Sequence, residues 1–157
     1  MDCTFNNKNG IFNFRVGAII QNEDKVLMVK TPGQNHYYSV GGRVRLNENL
    51  EDAVIREVYE ETNVKISHED ISLVYVHENF FMVEYKRYHE ISMFFRVKPN
   101  AELLKVENGH LTVDGPKGEY LQWVDVKNES EYIVYPEFYR TMSAESNTVE
   151  HIVTVDY

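Results

Sequence analysis

Residues 50–62, LEDAVIREVYEET, form the one long stretch of this chain in which apolar residues recur every 3.6 positions rather than every two. Around it the sequence alternates like sheet. Residues 12–20 read as a strand, the turn Gln21-Asn22-Glu23-Asp24 breaks it, and residues 25–30 read as its hairpin partner. Thr31-Pro32-Gly33-Gln34-Asn35 is loop, and residues 36–40 are short and β-like, ending at Gly41-Gly42. Beyond the helix, residues 71–83 and 88–97 read as two long aromatic strands joined by a turn near 84–87. Residues 106–113 make a weaker strand, 114–118 a turn, 120–126 a strand, 136–142 a short helix and 149–155 a last strand. A helix inserted among strands that pair at a distance predicts an α+β domain with a mixed sheet. At 157 residues, the whole of 1–157 fits a single domain with a core large enough to fold alone.

The helix should be capped at its start by Asn47 or Asn49, with Glu51 and Asp52 suited to its positive end. Asn63 follows its last turn, where a residue able to enter the left-handed region is expected. Leu50, Ala53 and Val54 begin an apolar stripe, and the same side then carries Glu57, Glu60 and Glu61. Three carboxylates at spacings i, i+3 and i+4 repel one another, and the negative end of the helix dipole adds to the cost. A local rule broken in this way marks a functional site. Hard divalent cations such as Mg²⁺ or Mn²⁺, which take carboxylate oxygens, would relieve the repulsion. The competing reading is a solvated acidic face with Arg56 as its partner.

The wider constellation is Gly41-Gly42-Arg43-Val44-Arg45-Leu46-Asn47-Glu48, seven further residues, then Arg56-Glu57-Val58-Tyr59-Glu60-Glu61-Thr62-Asn63-Val64. It closely resembles the Nudix box, in which glycine, glutamate, an Arg-Glu pair and a Glu-Glu pair stand at fixed spacing. Gly42, Glu48, Arg56, Glu57, Val58, Glu60, Glu61 and Val64 all match, and Asn63 stands where the family has glycine. The resemblance implies a Nudix α/β/α sandwich around a central mixed β-sheet. It implies a hydrolase that uses Mg²⁺ or Mn²⁺ to cleave a pyrophosphate bond in a nucleoside diphosphate linked to another moiety. ADP-ribose, a sugar nucleotide and an NTP-like compound are all compatible substrates, and a nucleotide-sensing module without turnover is the alternative.

By the same resemblance, Glu57 and Glu61 are the principal metal ligands, Glu60 shares the site, and the Gly41 carbonyl is a further ligand. Arg56 orients the glutamates, and Glu48 pairs with Arg56 or meets an outer metal. Glu119, just ahead of the strand carrying Trp123, is a candidate proton acceptor. Tyr38, Phe80 and Arg43 are the candidate substrate-binding residues. Arg15, Arg45, Arg87 and Arg96 are further arginines suited to phosphate, with nothing in the sequence to choose among them. Asn63 preserves the turn that glycine makes in the family, since Asn tolerates positive φ.

A net charge of −9 argues against a nucleic-acid partner, because phosphate backbones are bound by clustered Lys and Arg. Cys3, the only cysteine, excludes an internal disulfide and reads as a bystander. The first ten residues lack the order of a signal peptide, and no apolar run approaches the ~20 residues needed to cross a bilayer. The expectation is a cytoplasmic protein with no membrane partner. A homodimer is possible by family analogy alone.

Overall fold

The computed structural model describes residues 1–113, 118–143 and 148–157. The turn expected at 114–118 therefore lies outside the described residues except for Gly118, which has φ +73°. Among the described residues, the strands are β1 (Thr4–Asn7), β2 (Gly10–Asn22), β3 (Lys25–Lys30), β4 (His36–Arg43), β5 (Ile71–Val83), β6 (Lys86–Val97), β7 (Tyr120–Asp125), β8 (Ile133–Tyr135) and β9 (Glu150–Asp156). They join in one sheet of order β7-β3-β4-β2-β6-β5-β9, with β1 on β2 and β8 on β4. The sheet is mixed as expected: β2 runs parallel to β6, β4 to β8 and β5 to β9, and the remaining pairs are antiparallel.

The helix α1 (Leu50–Thr62) has the boundaries read from its period. Asn49, not Asn47, is its N-cap, its side chain accepting from the Asp52 N–H at 2.8 Å. Asn47 is in the left-handed region of the preceding loop at φ +68°. Asn63 ends the helix at φ 60°, ψ 20°, and its N–H donates to the Tyr59 carbonyl. Ala53, Val54 and Val58 are fully buried against Val16, Ala18, Ile20, Val40, Phe95 and Val97 of the sheet. Each buried valine of this kind contributes roughly 1.5–3 kcal/mol. The short helix α2 (Ala101–Leu104) adds Leu103 to the same core.

The opposite face carries a second core of Ile19, Met28, Tyr75, Phe94, Val124, Val134 and Tyr139. The helix expected over 136–142 is a single 3₁₀ turn, Glu137–Arg140, whose Tyr139 is wholly buried under the sheet. The layer order is therefore helix, mixed sheet and a thin second layer. Residues 106–113 do not form the expected strand. Their backbone bonds go irregularly to the start of β7 and to α1, as in Gly109 N–H to Leu121 O at 2.8 Å and Val113 N–H to Glu60 O at 3.0 Å. Gly109, at φ +91°, breaks the extended run. Those bonds have a use, since they fasten Glu119 and the start of β7 beside the helix that carries the glutamates.

Candidate active site

The acidic stripe of α1 meets the β4 strand where β4 has no side chains. A Cβ on Gly42 would lie 2.5 Å from the carboxylate atoms of Glu57, so only glycine leaves room for that group. A Cβ on Gly41, at φ +143°, would run into the Val16 carbonyl oxygen, so the position is open to glycine alone. The Gly41 backbone N–H faces the Glu61 carboxylate and favours its charged form.

Arg56 ties most of the stripe together. Its Nε and Nη2 grip both oxygens of Glu48 at 2.7 and 2.8 Å, its Nη1 reaches Glu57 at 2.5 Å and Glu60 at 3.3 Å, and Nη2 also donates to the Arg43 carbonyl at 3.1 Å. Glu48 in turn accepts from the Arg45 N–H at 2.8 Å, which closes the loop between β4 and α1. The Arg56 hydrogen bonds hold the Glu48 carboxyl below its ordinary range, and the guanidinium is itself held more firmly protonated by Glu48. Glu60 has a second cation, the Arg45 Nη2 at 3.2 Å.

Glu61 is treated differently. Part of the residue reaches solvent, yet its Oε2 is sealed and has no hydrogen-bond partner among the described residues. Burial pushes its carboxyl well above the usual range, and the Glu57 charge adds to this. Burial also raises Glu57, with the Arg56 bond opposing it. An orphaned buried carboxylate oxygen costs free energy of the kind that a hard cation would recover. The oxygen-rich donor set and the room left by Gly42 fit a divalent metal ion. As placed, no three Asp, Glu, His or Cys side chains among the described residues converge on one point, because Glu57 and Glu60 are turned onto Arg56.

A cleft of about 480 Å³ is walled by Glu57, Glu60, Arg56, Gly42, Arg15, Arg43, Arg45, Asp2 and Glu119, and Glu61 is not among its walls. The structure thus brings Glu119 to the acidic helix across 58 residues of sequence, counting from Glu61 to Glu119. Tyr38 stands beside Glu119 and in the field of Glu61, its hydroxyl 2.6 Å from the Thr31 Oγ1. Burial raises the Tyr38 hydroxyl first, against the Thr31 bond, and both carboxylates add to the effect.

Of the arginines that sequence could not rank, Arg15, Arg43 and Arg45 reach the cleft. Arg87 lies at a different hollow, and Arg96 donates to the Ser143 carbonyl. Arg43 is steadied by Asn13 at 3.1 Å. Arg15 makes no ion pair or side-chain hydrogen bond among the described residues, and its charge bears on Glu57 and Glu61. Register explains its arrival: Arg15 pairs with Arg43 across β2 and β4, a long-range fact that no local motif encodes. Asp2, bridged to Arg45, was likewise invisible in the sequence.

Phe80 is not among the cleft's walls; its ring stacks on His89 at 4.3 Å. Neighbours on a strand face opposite ways, and His89 meets Phe80 and Phe12 while Glu90 accepts from Asn13 at 2.7 Å.

Comparisons with known proteins bear on the family and the fold. The sequence profile of the NUDIX domain matches residues 12–142. A curated relative, the uncharacterized Nudix hydrolase YvcI of Bacillus subtilis (strain 168), is 37% identical over 49 residues, a match spanning 31% of this chain and 31% of that protein. The crystal structure of the mutator MutT protein from Bacillus halodurans aligns with TM-score 0.66 at 16% identity, covering 91% of this chain and 90% of the other. A MutT NUDIX hydrolase from Burkholderia pseudomallei aligns with TM-score 0.55 at 17% identity over 85% and 98% of the two chains. At such identities the structural likeness establishes the fold alone. Among the described residues, no helix is long and apolar enough to cross a membrane.

Proposed function

The chain belongs to the Nudix family, and from that premise we propose that it is a divalent-cation-dependent hydrolase of a phosphoanhydride bond in a nucleoside diphosphate linked to another group. The observation that carries the reading is the Glu61 carboxylate, buried beside Glu57 with an oxygen that nothing among the described residues satisfies. Glu57, Glu60 and Glu61, with the Gly41 carbonyl, would hold Mg²⁺ or Mn²⁺. The bound ion supplies neutralisation of the phosphate oxygens and a more acidic attacking water.

The chain's own residues perform the rest. Arg56, clamped by both oxygens of Glu48, fixes the orientation of Glu57 and Glu60. Arg15 and Arg43, facing the acidic helix across the cleft, bind the substrate's phosphate oxygens. Glu119, held by the neighbouring backbone bonds and by Tyr38, accepts the proton of the attacking water. Tyr38 does not wall the cleft, so its part in the site is through Glu119. One unit over residues 1–157 suffices for all of these roles.

The test is hydrolysis of ADP-ribose, sugar nucleotides, dinucleoside polyphosphates and NTPs in Mg²⁺ or Mn²⁺, with Glu61→Gln and Arg15→Ala alongside. Turnover of at least one compound is expected. Glu61→Gln should remove it, and Arg15→Ala should raise KM. Tight binding of one ligand with no turnover across the panel would refute the enzyme and leave a sensing module.

A further inference from the structure

A second hollow, of about 600 Å³, lies at the end of the sheet remote from α1, between the β1–β2 turn and the β5–β6 turn. Its walls carry Lys8, Lys86 and Arg87 with Asn7, Asn9 and Tyr85, and no acidic residue lines it. In a chain of net charge −9 that is a marked local reversal of sign. Glu84, in the same turn, and Asp156, opposite Phe81 on β9, stay outside the lining. None of the three cations makes an ion pair among the described residues, whereas Arg43, Arg45 and Arg56 in the cleft all do. The Arg87 guanidinium is instead held over the Tyr157 ring at 5.6 Å, which leaves its N–H fork unspent.

The hollow is built rather than accidental in two respects. Gly10, at φ +148°, brings the two hairpins into backbone contact, since a Cβ there would meet the Arg87 carbonyl at 2.6 Å. The Asn7 side chain accepts from the Asn9 N–H at 2.8 Å and sets the first turn. In the second turn both central residues, Glu84 and Tyr85, have positive φ at 47° and 70° without being glycine or asparagine. Such a conformation is unfavourable for residues with a Cβ, and strain of this kind gathers at ligand-holding sites. Its visible result is that Tyr85 stands 98% exposed at the mouth of the hollow.

We propose that this hollow is an anion site, separate from the catalytic cleft, that takes a chain of phosphates through Lys8, Lys86 and Arg87. Lone surface cations bind phosphate weakly, but three that share one carboxylate-free hollow act together on a ligand with several charges. From Ile11 to Arg15 along β2 is about 13 Å at strand rise. A ligand held here therefore leaves the cleft open and acts beside the substrate. The proposal does not depend on turnover in the cleft.

The probe is sodium tripolyphosphate, titrated in metal-free buffer while backbone amides are followed by NMR, with ATP as a second arm. We expect shifts at Lys8, Asn9, Lys86 and Arg87. Affinity should fall about tenfold for each charge reversal, in Lys8→Glu and in Arg87→Glu, and should fall again as salt is raised. Glu61→Gln should bind tripolyphosphate as the parent does, and hydrolysis in the cleft should be unchanged in Lys8→Glu. ATP binding at the same amides with equal affinity assigns the site to the phosphate chain alone, and tighter binding adds Tyr85 stacked on the base. Shifts confined to Arg15, Gly42 and Arg43, or equal affinities in the parent and the neutral pair Lys8→Gln/Arg87→Gln, would overturn the proposal. So would the absence of any shift at millimolar tripolyphosphate.

Discussion

Gly42→Ala tests the packing that holds the acidic stripe. The new Cβ would stand 2.5 Å from Cδ, Oε1 and Oε2 of Glu57. Ordinary contact needs about 3.5 Å, so the carboxylate must retreat by about 1 Å. It cannot retreat freely, because the same carboxylate is bonded to Arg56, and Arg56 is fixed by both oxygens of Glu48. Overpacking of this sort costs ~1–3 kcal/mol, which lowers Tm by about 3–9 °C for a chain of this size. Activity should suffer far more, since a 1 Å displacement of a positioned group costs on the order of 10²-fold. Scanning calorimetry and kcat on whichever substrate the panel identifies give the two numbers. Gly33→Ala is the control: its φ is +86° but nothing lies within 4 Å of its Cβ position, so it should lose a little stability and no activity. If Gly42→Ala retains the parental kcat and metal dependence, the glycine is not there to make room for Glu57.

Three further outcomes follow from single residues. Because burial raises the Glu61 carboxyl, its ionisation opposes folding. Stability is fullest below the unfolded value near 4.5 and falls as pH rises through the raised one. Metal-free Glu61→Gln should therefore resist urea better than the parent at pH 8, with the difference closing toward pH 4; a less stable variant at pH 8 would contradict the burial argument. His77, buried and bonded to Thr154 at 2.9 Å, is held down to about 4, below its unfolded 6.5. It therefore withdraws stability as pH falls from 6.5 to about 4, and His77→Gln should flatten urea midpoints across that window. Asn63→Val, which forces a β-branched residue to φ 60°, should cost roughly 1–2 kcal/mol, whereas Asn63→Gly should be neutral or slightly stabilising, both read from denaturant melts.

The sequence was most informative where local rules act alone. The 3.6-residue period and Asn63 place α1 to the residue, with Asn49 one of the two caps offered, because caps and periodicity are decided within a few positions. The long strands were legible from β-branched and aromatic runs, while β1 (TFNN) and β8 (IVY) were not. Both are too short to show a period, and β1 is exposed throughout, so only pairing with a neighbour makes it a strand. Residues 106–113 show the converse: Leu111, Thr112 and Val113 favour extension, but their partners are loop ends and the C-terminal half of α1. The site divides in the same way. The box glutamates and Arg56 were readable from spacing, whereas Arg15 and Asp2 arrive through strand register and a bridge, which no motif records.

What register adds is a balance of charge that the box alone does not display. Glu57 and Glu60 each have an arginine, and Glu48 shares Arg56 with them. Glu61 has no arginine partner and keeps one oxygen unsatisfied among the described residues. Across the same cleft Arg15 is left without an ion pair among the described residues. A sealed carboxylate oxygen next to Glu57, which walls the cleft, and a cation on another wall of it are both left unsatisfied among the described residues. A lone metal ion would answer only Glu61, and a lone phosphate only Arg15. A phosphate group carrying a divalent cation would answer both, and this is the physical reason for the proposed ligand being a metal-bound phosphate compound rather than either component alone.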